Sequence, residues 1–316
     1  MTQTTKHVYR GTCDASAAVR LGATNLFATA SDEDFVLRVY DRALPGDPIA
    51  TRDLKAFLKP VNPKKEPDIE GAAQLGDVVY WVGSHSRDKD GVVQESRHRL
   101  FATTVTTTGG VADIEPRGEP YTQLLADLVS SPDLAGLGLR EASERPPEAV
   151  GGLNIEGLAP TPAGQLLIGF RNPIPNRQTL IVRLENPSEL VAQPSRPARL
   201  APPLLLDLGG RGIRALEFVP DVRAYVIVAG AFDDRSDFAV YRWSGAAADK
   251  PVLLDIPGVH EMRPEELIVI PRTDGTFEIE LFSDDGDVLV GEVRCKKLKD
   301  PQSQTFGSIR VRTPFI

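Results

Sequence analysis

The chain has 316 residues, 41% hydrophobic and 25% charged, enough apolar material for a large core without help from metals or disulfides. Its 44 acids against 36 bases give a net charge of -8, and no basic cluster tracks a phosphate backbone, which excludes nucleic acid as a partner. No run of about eighteen apolar residues occurs, which argues against a membrane span, and the opening MTQTTKHVYRGTCD has no signal-peptide core, so a cytoplasmic protein is expected.

In chain order, KHVYRGT reads as a lone strand before the first turn-rich segment. Cys13 and Cys295 stand near opposite ends without metal-ligand spacing, and both are expected to be small buried residues. From Asp14 onward the chain repeats a plan: a short apolar strand, a tight turn, a second strand rich in β-branched or aromatic residues, and a polar loop. Its copies are DASAAVRLGATNLFATASDED from Asp14, DIEGAAQLGDVVYWVGSHSRD from Asp68 and NIEGLAPTPAGQLLIGFRNP from Asn154, then more divergent ones from Gly212 and Arg263.

A third strand follows each loop, in FVLRVYDR, HRLFATTV, TLIVRLEN, FAVYRWSG and GSIRVRTPF. A fourth leads into the next copy, as in PLLLDLGG and PVLLDIPG. Four strands in meander order are the unit of a β-propeller blade. The prediction is all-β: a single propeller domain over residues 1–316, five-bladed with six as the alternative, its last blade completed by the N-terminal strand. The long interval at 106–152 contains Leu124, Leu125 and Leu128 at helical offsets and reads as one helical insertion. The stretch VAQPSRPARLAPP at 191–203 reads as a polar crossing loop.

The repeat places chemistry as well as strands. First strands of blades lie beside the central channel, so matched residues meet there. Glu70, Glu156, Arg214 and Glu265 share one position, and Asp14 falls within a residue of it, which predicts four acids and an arginine around the axis. Crowded carboxylates must take up protons, pair with a base or hold a cation, and Glu70, Glu156 and Glu265 are the candidate ligands of a divalent ion, calcium above others. Residues ending the second strands form a candidate ring at the channel mouth: Asp32, His85, Arg87, Arg171, Asn172 and Asp284, with Arg171 suited to an anionic group.

Other motifs fall away. Ser84 and His85 are adjacent in a strand and point to opposite faces, so they make no nucleophile and base. His260 and Glu261 lack the second histidine of a zincin, and neither phosphate-binding glycine pattern is present, so no nucleotide or organic cofactor is implied.

The two I-E-G segments, with GSHS, GFRNP and GIRALEF, resemble the bacterial family known as domain of unknown function 3616 across nearly the whole chain. More loosely, the E-G-hydrophobic-A segments are similar to those of esterase-like phytase propellers. The acids at blade starts also resemble those of calcium-dependent nucleotidases, five-bladed propellers with a central calcium ion. Arg214 departs from the latter pattern. The expected function is a non-catalytic module binding a protein or small ligand through a charged channel. The alternative is a metal-dependent hydrolase of phosphate or other esters at the channel mouth.

Overall fold

Short apolar runs broken by Gly, Asp and Pro turns can bury one face only by pairing with their sequence neighbours, and here they do so as antiparallel meanders. A computed structural model describes residues 4–62, 64–108 and 111–314. Blade 1 is Ala17–Arg20, Leu26–Ala30, Val36–Asp41 and Ala50–Asp53. Blade 2 is Ile69–Leu75, Val78–Gly83, Leu100–Thr108 and Val111–Tyr121; blade 3 is Asn154–Pro160, Leu166–Asn172, Thr179–Leu184 and Leu204–Leu206. Blade 4 is Gly212–Val219, Ala224–Gly230, Ala239–Trp243 and Val252–Leu254. Blade 5 is Pro264–Pro271, Thr276–Ser283 and Thr305–Pro314, completed by Thr4–Arg10 from the other end of the chain. The result is a propeller of five four-stranded blades, not six.

Closure is antiparallel, with Tyr9 opposite Phe306. The junction is filled by aromatic side chains: Tyr9 stacks on Phe306 and meets Phe27 and Tyr40 of blade 1 edge-on, each at about 5.2 Å between ring centres. Beside it, Glu280 of blade 5 is enclosed with Arg42 of blade 1 at 2.5 Å and Arg310 at 2.9 Å. Tyr9 and Ser308 donate to its other oxygen, so this buried charge is compensated on every side.

Three expectations need correction. The insertion begins later than residue 106: residues up to Tyr121 complete the hairpin of blade 2, and helix is confined to Leu124–Ser130, Leu139–Ala142 and a 3-10 turn at Pro132–Leu137. The predicted helical stripe is real, since Leu124 and Leu128 are buried. Helix Pro187–Ala192 was not expected; it overlaps the start of the predicted crossing loop. The cysteines are buried as expected but not separate: a disulfide joins them across 282 residues because closure brings the two ends of the chain together.

Candidate functional site: the charged mouth of the channel

The first strands of neighbouring blades touch in ring order, closing from blade 5 back to blade 1. Along blade 2, Ile69 pairs with Gly83 and Gly71 with Val82, adjacent residues on the partner strand, so Glu70 is the extra residue of a β-bulge. The same break skips Glu156 between Ile155 and Gly157, Arg214 between Ile213 and Ala215, and Glu265 between Pro264 and Glu266. A bulge frees one residue from the pleat and re-aims its side chain. This is how an otherwise apolar strand delivers a charge without placing it in the core.

The glycine after the acid in I-E-G has a separate cause. A Cβ on Gly71 would lie 3.0 Å from the Glu156 carbonyl oxygen and 3.0 Å from Leu158 Cβ; one on Gly157 would lie 2.6 Å from Ile213 Cγ2. Neighbouring inner strands approach too closely for any side chain there.

Blade 1 departs from the predicted ring. Leu21 and Gly22 match Leu75 and Gly76, both glycines turning at positive φ, so Ser16 occupies the ring position and Asp14 matches Asp68 two residues earlier. Ser16 and Ser31 donate to the Asp14 carboxylate at 2.7 and 2.9 Å. The matched ring is therefore three glutamates, an arginine and a serine, with Asp14 and Asp68 beside it.

Arg214 is the hub. It lies 3.2 Å from Glu156 through Nε and pairs with Glu265 through Nη2. Burial alone would push its pKa down, and the charges of Glu156, Glu265 and Glu70 more than reverse this, so it stays charged. Glu156 is also held by Arg171 Nη1 at 3.1 Å and by the Asn154 amide at 2.8 Å. Asp68 is held by Arg97 at 3.0 Å, and the same guanidinium reaches Glu66 at 2.7 Å.

Two carboxyls remain. Among the described residues, neither Glu70 nor the Asp32 side chain has an ion pair or a side-chain hydrogen bond. Burial first, then Asp68, Glu156, Glu265 and Asp32, raises the Glu70 carboxyl well above its usual range. Burial and then Asp14, Asp68 and Glu265 do the same to Asp32. Glu265 is also raised, by burial and Asp284 against the opposing pull of Arg214, and Asp14 is pushed up to about 6 chiefly by burial. Burial and mutual repulsion thus disfavour the ionised form of each of these carboxyls.

The other mouth residues divide. Arg171 and Asp32 lie in the cluster, and Asp284 adds its charge to both Glu265 and Asp14. A cavity of about 450 Å³ opens beside Asp284. His85 does not join them: its ring stacks parallel on His98, Nδ1 lies 2.8 Å from the Gly83 carbonyl, and burial drives its pKa down to about 3. Arg87 and Asn172 instead anchor the insertion. Arg87 donates to the Ser143 carbonyl at 2.8 Å, and the Asn172 amide donates to Pro147 and Ala149 at 2.7 and 2.8 Å. Arg171 also reaches Glu148 of the same segment at 3.5 Å, so the insertion is fastened beside the mouth. Ser84 pairs with Ser86 and not with His85.

Of the expected calcium ligands, Glu156 has a guanidinium on each oxygen, from Arg171 and Arg214, and Glu265 has Arg214 on one. Among the described residues, no three His, Cys, Asp or Glu side chains are disposed to share a metal ion. Sequence reasoning missed Asp68, Glu66, Arg97 and Glu148. The first could have been found, because the Asp of DIEG repeats the Asp of DASA at the same distance from the Leu-Gly turn.

Residues 131–282 match the family model described as protein of unknown function (DUF3616), which with the five-bladed fold bears out the resemblance drawn from the I-E-G segments. No curated protein matches the chain in sequence. Among solved structures, glutaminyl cyclase of Myxococcus xanthus is similar at 13% identity and TM-score 0.48, covering 98% of this chain and 96% of that one. Hydrazine synthase of Kuenenia stuttgartiensis is similar at 9% identity and TM-score 0.40, covering 96% and 67%. Likenesses of this size carry no chemistry across.

Proposed function

With residues 131–282 matching a family of unknown function as the premise, we propose that this chain is a non-catalytic binding module whose mouth takes a small hydrophilic ligand carrying cationic groups, such as a diamine. The observation that supports this is the pair Glu70 and Asp32. The nearby guanidiniums are bonded elsewhere, Arg97 to Asp68, Arg171 to Glu156, and Arg214 to Glu156 and Glu265, while these two half-buried carboxyls have no ion pair among the described residues. A cation entering the mouth would relieve the repulsion between these carboxyls and supply the missing partner. The disulfide belongs to the same reading: we infer an oxidising compartment for the chain in place of the expected cytoplasm, because cytosolic thiols are kept reduced.

The test is the melting shift of chelator-treated protein on adding putrescine, magnesium or calcium, since a ligand specific to the folded state stabilises it by ~2.7 kcal/mol at a hundred times its dissociation constant. Putrescine is expected to raise the melting temperature of the wild type, and the rise is lost in Glu70→Gln and Asp32→Asn. Equal melting with and without each cation sinks the proposal. A shift with calcium alone, lost in Glu70→Gln, replaces the organic cation with a metal. Turnover of a phosphate or acetate ester that disappears in folded Glu156→Gln replaces binding with hydrolysis.

A further inference from the structure

Beyond the bulges the same five inner strands continue to the opposite face, and there the channel changes character. Ala18, Ala73, Leu158, Leu216 and Val269, drawn from all five blades, wall a cavity of about 380 Å³, ringed by the exposed turns that join first to second strands. That volume falls in the range of sites that enclose small ligands, and its wall is mainly apolar. Three acids line it, Glu217, Glu266 and Asp221, and of the two inner ones Glu217 has the fewer partners of its own. Glu217 of blade 4 accepts the Val269 N–H of blade 5 at 2.6 Å and, among the described residues, makes no other hydrogen bond or ion pair.

Arg20, on the same wall, and Arg42 act on Glu217 only through space, and neither bonds to it. Arg20 of blade 1 donates Nε to the Thr24 carbonyl, and Arg42 is committed to Glu278 and Glu280. Glu266 of blade 5 has both oxygens occupied by the Ala18 and Leu267 N–H groups, and Gln74 of blade 2 is bonded to Gly22. Glu266 and Gln74 are thus spent on tying inner strands together, whereas Glu217 keeps acceptor capacity facing the cavity.

We propose that this far end of the channel is a binding site for a small primary amine with a compact aliphatic or aromatic body, the ammonium bonded to Glu217 and the body against the apolar wall. It stands apart from the mouth, with its own carboxylate, and does not depend on that reading. Burial pushes the Glu217 carboxyl up to about 8, against the pull of the Val269 N–H and then of Arg20 and Arg42. At neutral pH an ammonium ion therefore enters as the carboxyl gives its proton to solvent; no bond other than O–H breaks. Glu266, its carboxyl raised by burial against the pull of the Leu267 and Ala18 N–H groups, and Asp221 on the rim are the other acids facing the cavity.

The experiment is calorimetric titration of the intact full chain with n-hexylamine, n-hexanol and sodium hexanoate at pH 6, 7, 8 and 9. Hexylamine is expected to bind at least tenfold more tightly than hexanol, with hexanoate weaker still. Its affinity should rise severalfold from pH 6 to pH 9 as the proton is surrendered more readily. Glu217→Gln should cut the hexylamine affinity tenfold or more and remove the pH dependence. Ala23→Trp, at an exposed rim position, should weaken hexylamine and hexanol together without touching the core. In Glu70→Gln, which removes the proposed mouth carboxyl, the Glu217-dependent and pH-dependent hexylamine binding should remain. Equal affinity for amine and alcohol, or full hexylamine binding in Glu217→Gln, overturns the proposal. Loss of hexylamine binding in Glu70→Gln in place of Glu217→Gln places the amine at the mouth and overturns it too.

Discussion

Cys13 and Cys295 are bonded to each other, which ties the start of blade 1 to the excursion between the second and third strands of blade 5. The Cys13 carbonyl also accepts the Asp285 N–H at 2.9 Å, so the covalent link runs beside a backbone one. Reduction, or the double change Cys13→Ser with Cys295→Ser, is expected to destabilise the fold by ~2–5 kcal/mol, the usual consequence of removing a native disulfide. Urea melts with and without reductant measure this. Coincident curves, with the thiols shown to be free, would contradict it.

Glu156 carries the ion-pair network of the mouth. Both Arg214 and Arg171 converge on it, and the Asn154 amide fills the remaining geometry. Glu156→Gln leaves two enclosed guanidiniums short of an anion, so a loss of ~3–5 kcal/mol is expected, as for removing one partner of a buried pair. Glu70→Gln removes a carboxyl without an ion pair and should be neutral or mildly stabilising. The comparison of these two variants by chemical denaturation is decisive, because a role for Glu156 in binding alone predicts equal stabilities.

Gly157→Ala tests the packing of the inner strands. The added methyl would meet Ile213 Cγ2 at 2.6 Å, and blades 3 and 4 must part to admit it. A destabilisation of ~1–3 kcal/mol is expected, typical of overpacking. Pairing the change with Ile213→Val should restore part of the loss, and simple additivity of the two would argue against a direct clash.

The buried acids give stability a pH dependence of definite sign. Asp14, at about 6, and Glu217, at about 8, hold protons in the folded chain that they would lose near pH 4 when unfolded. Groups raised in this way stabilise fully below the unfolded value and lose that contribution as pH climbs through the folded one. The buried His85, lowered to about 3, has the opposite sign below about pH 6.5, so stability is expected to fall between pH 6.5 and 8.5, by at most ~1.4 kcal/mol per pH unit for each carboxyl still protonated. Melting temperatures across this window should decline, and Glu217→Gln should flatten the upper part of the decline. A rise with pH would show that these carboxyls are ionised in the fold.

The repeat made the architecture legible. Blade boundaries, the closing strand at KHVYRGT and the inner position of Glu70, Glu156, Arg214 and Glu265 all follow from matching segments, because a propeller turns sequence equivalence into spatial equivalence. The insertion boundary was misjudged because the leucines mark the helix itself and not where the preceding hairpin stops; the eleven-residue strand Val111–Tyr121 is largely polar and carries no apolar signal of its own.

What the chain alone determined was therefore periodic: five copies, their strands and a charged inner ring. Tertiary structure decided what has no period. Which acid pairs with which base depends on side-chain reach across blades, as Arg171 shows by spanning from Glu156 to Glu148 of the insertion. His85 was lost from the mouth through a local turn at positive φ, a backbone choice that its strand pattern does not signal. The union of Cys13 with Cys295, and the carboxyl of Glu217 left facing an apolar cavity, arise only when the ring closes. Closure sets distances between residues that nothing along the chain relates.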